Sequence, residues 1–131
     1  MPNIIDRMRL EPAVCWQQLG DTDSGHPRYG PAIALATAAD GTNYNVRWVD
    51  VQELFIDIDG TQRLSSGMCY VPLLPNGEEI KEGDLMWRGA LATLPLGQLA
   101  APRSIPLAYE VRRKSRLPSR RYNKILRRVW F

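Results

Sequence analysis

A chain of 131 residues with 44% hydrophobic and 24% charged content fits one folded domain, long enough to bury roughly two-thirds of its unfolded surface. No stretch approaches the ~20 apolar residues of a membrane span, and the opening MPNIIDRMRLEP is too charged for a signal-peptide apolar region, so no membrane association is expected and a cytosolic chain is the default. The net charge of +3 hides a division: from Arg103 onward ten basic residues face one acid, a net of +9, while residues 1–102 hold seven basic and thirteen acidic residues, a net of −6.

In chain order, residues 1–12 form a leading arm that Pro12 closes. Ala13 to Gln18 alternates as a first strand, with Val14 and Trp16 on one face and Cys15 on the other. Leu19 to Pro31 (LGDTDSGHPRYGP) holds three glycines and two prolines and is expected to be a long exposed loop. Its polar and aromatic residues Asp21, Asp23, His26, Arg28 and Tyr29 make it a candidate contact loop. Ala32 to Ala38 favours a short strand.

The central stretch Tyr44 to Leu73 reads as a meander of two or three strands. Tyr44, Val46 and Trp48 share one face, and Leu54, Ile56 and Ile58 share another, each expected to point into the core. Asp59-Gly60 is suited to a two-residue hairpin turn. Pro75-Asn76-Gly77 marks a further turn, and Asp84 to Gly89 a strand with Leu85 and Trp87 on one face. Residues 90–106 carry three prolines and little charge, which predicts a long irregular connection wrapping over the domain. Leu107 to Lys114 alternates with Leu107, Tyr109 and Val111 inward, Ser115 to Arg121 reads as a basic loop, and Tyr122 to Phe131 as a last strand. The fold class is therefore all-β: a single-domain small antiparallel β-barrel of about six to eight short strands, with long loops at 19–31 and 90–106.

The residues offer little catalytic chemistry. His26, the single histidine, has no nucleophile motif beside it. Asp57-Ile58-Asp59-Gly60 lacks the remaining oxygen ligands of a calcium loop, and no glycine run ends in Lys-Ser/Thr to cradle a phosphate. Cys15 and Cys69 read as two small buried side chains rather than a disulfide or a zinc pair. Glu78-Glu79 reads as a solvated polar turn. The expectation is no enzyme, no metal and no cofactor.

What stands out is the basic end. Arg112, Arg113, Lys114, Arg116, Arg120, Arg121, Lys124, Arg127 and Arg128 cluster where two strands and their connection meet, a candidate flank facing DNA or a protein partner. Tyr122 and Trp130 are interleaved among them, as in single-strand binders where bases stack on exposed rings; in the plainer alternative these rings face the core and the cations form a solvated rim.

The stretch VRWVDVQELFIDIDGTQRLSSGMCYV resembles the central signature of small tailed-phage head-completion proteins, in which an Arg-Trp and acidic stretch leads to a Phe-x-Asp hairpin and then a Val/Tyr-rich strand. PRSIPLAYEVRRKSRLPSRRYNKILRRVWF is similar to their ending, and together the likeness covers about residues 44–73 and 102–131. The chain departs from that pattern around Leu91 to Ala101 and in the Leu19 to Pro31 loop. The resemblance implies a virion structural protein of the phage neck, made in the host cytoplasm: a head–tail connector or stopper that forms a ring of about six or twelve copies, a closed cyclic assembly. Its implied partners are other copies of itself, the portal or adaptor, a tail-completion or tail-tube protein, and packaged DNA. The alternatives are a tail-completion protein of the same neck and a free-standing nucleic-acid-binding barrel of the OB-like or SH3-like kind.

Overall fold

A computed structural model describes residues 10–21, 25, 27–50, 52–56, 59–94, 102, 105, 108–119 and 124–131. Its strands are β1 (Ala13–Trp16), β2 (Gln18–Asp21), β3 (Pro27–Tyr29), β4 (Ile33–Leu35), β5 (Arg47–Val49) and β6 (Leu54–Ile56). They continue with β7 (Gln62–Leu64), β8 (Met68–Val71), β9 (Leu85–Arg88), β10 (Ala108–Glu110), β11 (Arg113–Ser119) and β12 (Lys124–Trp130). The fold is all-β, with a short 3-10 turn at Leu91–Thr93.

Two four-stranded antiparallel sheets, ordered β10-β9-β1-β4 and β11-β12-β8-β5, enclose the main core. They meet at two corners. At one, Glu11 and Val46 exchange both backbone hydrogen bonds, at 2.9 and 2.8 Å, which ties the start of β1 to the start of β5. At the other, Val111 and Arg112 carry the chain from β10 into β11, and the N–H of Val111 donates to Asp84 while that of Arg112 donates to Trp130. The result is a barrel-like wall, assembled as two sheets joined at these corners. The end of the N-terminal arm is thus part of the wall through Glu11; residues 1–9 lie outside the described set.

Alternation on β1 decides the packing. Ala13 and Cys15 point into the main core with Leu35, Val46, Cys69, Met86, Val111 and Val129. Val14 and Trp16 point the other way, yet both are fully buried, because Leu94 and Ile105 of the 90–106 connection cover them beside Leu85. One sheet is therefore apolar on both faces.

Several expectations need correction. Leu19 to Pro31 is a hairpin rather than a loop: β2 pairs with β3, with a register shift between Gln18 and Gly20. Gly20 sits at φ +110°, the backbone freedom such a bulge uses, and Tyr29 packs with the second core cluster. The central meander is interrupted, since β5 pairs directly with β8 and β6–β7 stands apart as its own two-stranded sheet. Leu54, Ile56 and Leu64 point outward, at 71%, 57% and 56% exposure, and Ile58 lies outside the described residues. The β6–β7 turn is also longer than two residues: Ile56 pairs with Gln62, and within the connection the N–H of Thr61 donates to Asp59 Oδ1. Lastly, the segment read as a basic loop from Ser115 is strand as far as Ser119. Among the described residues twelve strands result where six to eight are expected, because residues 19–31 contribute a pair of strands, the return strand Gln62 to Leu73 divides into β7 and β8, and the strand expected from Leu107 to Lys114 divides into β10 and β11.

Candidate functional site

The basic flank is built on β11 and β12, two seven-residue strands in register from Arg113↔Trp130 to Ser119↔Lys124. Among the described residues β11 pairs with β12 alone, which makes it an edge strand. An edge tolerates Pro118, which lacks an N–H, and charged side chains along an edge discourage pairing with foreign strands.

The two faces of this ribbon differ. On one face Val129 reaches the core, and Lys114 lies opposite it. One step outward Arg116 lies directly opposite Arg127, a like-charge pair that is unfavourable on its own. Glu79, from the connection between β8 and β9, relieves it. Arg116 Nη2 approaches Glu79 Oε2 at 2.9 Å, Lys114 Nζ approaches the same oxygen at 3.5 Å, and Arg127 Nε donates to Oε1 at 3.0 Å. Burial pushes the Glu79 carboxyl up, but the Arg127 hydrogen bond and the charges of Arg116, Lys114 and Arg127 outweigh it and hold the group below the ordinary glutamate range. Glu79 is thus no solvated turn residue, unlike its exposed neighbour Glu78, which accepts a hydrogen bond from Gln17.

On the opposite face, Arg128 lies over the Trp130 ring with its guanidinium carbon 5.0 Å from the centroid. Its Nε is buried and finds no hydrogen-bond partner among the described residues. Trp130 is only 7% exposed, and its indole N–H donates to Glu53 Oε2 at 3.0 Å. That ring is therefore committed to packing rather than available for base stacking. Arg112 and Arg113 are exposed at the start of β11.

Of the remaining flank residues, Lys124 is placed by its backbone on β12, while Arg120, Arg121 and Tyr122 lie outside the described residues. Of the candidate contact stretch, Asp21 lies on β2, Arg28 is exposed on β3 and Tyr29 is half-buried, while Asp23 and His26 lie outside the described set. The structure thus joins Lys114, Arg116 and Arg127 into one cluster and leaves the 19–31 residues on a separate hairpin.

Sequence reasoning missed a second feature, at the end of the wall opposite Glu79. Trp48, Trp87, Arg88, Tyr109 and Phe131 line a cavity of about 320 Å³. Trp48 and Phe131 stack at 5.2 Å, and Tyr109 leans on Phe131 at 5.7 Å. Arg88 is forked onto Glu11 at 2.8 and 3.2 Å. The alternating aromatics were legible one by one; their convergence needed the β5-β8 and β9-β10 pairings. Comparison with protein-family models, curated proteins and solved structures returns no match.

Proposed function

We propose that this chain is a structural protein of a tailed-phage neck, a head–tail connector of the stopper or head-closure type that assembles as a ring under the portal or adaptor. The observation that carries the reading is the segregation of charge onto one ribbon. Arg113, Lys114, Arg116, Lys124, Arg127 and Arg128 all lie on β11 and β12, against a body that is net acidic. A subunit with opposite charge on separate surfaces favours head-to-tail contacts between copies, which close into rings. The same ribbon suits packaged DNA, since phosphate contacts need cations and no base readout. The likeness of residues 44–73 and 102–131 to head-completion proteins supplies the particular setting.

The test is cryo-electron microscopy of assembled particles together with the double charge reversal Arg112→Glu, Arg113→Glu. Both residues are exposed and stand outside the Glu79 cluster. The expected result is ring density for this chain at the head–tail junction, and loss of head completion in a variant that still folds. Absence of the chain from the neck, or normal completion by the folded variant, overturns the reading.

A nucleic-acid-binding barrel is the second reading, and the same ribbon favours it. It predicts tight, salt-sensitive DNA binding by the isolated protein, whereas a neck subunit gains its DNA contacts through the assembled ring.

A further inference from the structure

Three cations and one carboxylate make an uneven group. Lys114, Arg116 and Arg127 converge on the two oxygens of Glu79, which leaves two positive charges without a partner inside the cluster. The group sits against an apolar floor of Val71, Ile80 and Val129, where charge interactions are screened less than in open water. It still reaches solvent, for the Arg116 side chain is 57% exposed and that of Lys114 34%. Opposed strands hold Arg116 and Arg127 side by side whatever the counterion, so an anion between them stabilises the site.

We propose that this is a phosphate-binding site, and that Glu79 occupies it as an internal competitor. The ligand is a phosphate or phosphodiester group. Two arginines and a lysine suit it, because guanidinium forks match phosphate oxygens and an ammonium adds charge without demanding one geometry. A carboxylate offers two oxygens and one charge; a phosphodiester offers more acceptor oxygens, and inorganic phosphate more charge. When the ligand arrives Glu79 is displaced, and binding is weaker than the cations alone would give. The inference goes beyond the neck assignment and does not depend on it.

The test compares Glu79→Gln with Glu78→Gln, which changes the net charge equally at the adjacent residue without freeing the three cations. Duplex DNA binding is followed by fluorescence anisotropy across a salt series, and thermal unfolding is followed with inorganic phosphate against chloride at equal ionic strength. Glu79→Gln is expected to bind DNA about tenfold more tightly than wild type, with a salt slope steeper by about one phosphate contact, while Glu78→Gln stays within about twofold. Glu79→Gln is also expected to melt lower in chloride and to recover in phosphate by more than Glu78→Gln does. Recovery in phosphate without a gain in DNA affinity supports the site and identifies free phosphate as its ligand. A gain in DNA affinity supports a backbone phosphodiester. If Glu79→Gln exceeds Glu78→Gln in neither measurement, the proposal fails. Should Glu79→Gln not fold, Arg116→Gln against Arg112→Gln decides the matter: equal loss of DNA affinity and equal phosphate response in these two variants sink the site.

Discussion

Asp84 is fully buried, a rare placement for a carboxylate, and removing its side chain tests how β2 and the turn before β9 are held in place. Oδ1 accepts from the N–H of Gln18 at 2.9 Å and Oδ2 from the N–H of Lys81 at 3.1 Å. The carbonyl of Asp84 also accepts from Val111 at the corner where β10 passes into β11. One residue therefore anchors β2, the turn before β9 and the corner. Asp84→Ala leaves two N–H groups without their acceptor, at about 1–3 kcal/mol each. Part of this is offset, because burial, more than any neighbouring charge, raises the Asp84 carboxyl above its ordinary range, and the alanine no longer holds a disfavoured charge. A net loss of about 2–4 kcal/mol is expected. Asp84→Asn keeps one acceptor but turns an N–H toward the other donor, and is expected to lose about 1–3 kcal/mol. Urea unfolding with an unchanged m-value measures both. Because the folded-state pKa is raised, the native protein binds the proton first as pH falls. The wild type therefore gains stability relative to Asp84→Asn as pH drops through the raised folded value toward the ordinary aspartate value, and loses it again as pH rises. A loss below about 1 kcal/mol for Asp84→Ala, or an opposite pH trend, refutes the clamp.

Two further outcomes follow from burial alone. Cys15 and Cys69 are free and buried, and burial first, then the charges of Asp84 and Glu11 respectively, push both thiols above the ordinary range. Native protein is expected to be inert to an aromatic disulfide reagent at neutral pH, with both thiols reacting only in denaturant; rapid reaction in native buffer contradicts the burial. Leu54→Ser and Leu64→Ser alter side chains that are paired with each other across β6–β7 but exposed. Each is expected to change unfolding free energy by less than about 0.5 kcal/mol, and a loss above about 1.5 kcal/mol in urea would mean that this hairpin face is packed.

The class of fold was legible because alternation and turn residues are local. Val14 and Trp16 against Cys15, and Leu85 and Trp87 together, fell on the faces their spacing required. What period two cannot say is which face meets the core. Leu54 and Ile56 alternate as cleanly as any strand here, yet they point to solvent, because among the described residues β6 pairs only with β7 and joins neither large sheet. Pro118 and its charged neighbours argued for a loop by composition, and composition misled there, since an edge strand accepts both. The glycines and prolines of residues 19–31 likewise suit a loop by composition, whereas Gly20 accommodates a bulge and Pro27 begins a strand.

The site was legible only as a count of cations. Nothing local separates Arg113, which is exposed, from Arg127, which shares a carboxylate with two other cations. The distinction comes from register: an even offset along β12 puts Arg127 on the face of Val129, and pairing puts Arg116 opposite it. The counterion then arrives from 48 residues away, on a connection whose two adjacent glutamates look alike in sequence. One of those glutamates touches Gln17 and the other neutralises part of the ribbon. The segment's formal +9 therefore overstates the charge available to a partner. Arg113 lies exposed to an incoming partner, whereas Lys114, Arg116 and Arg127 present their charge only against an anion that outcompetes Glu79.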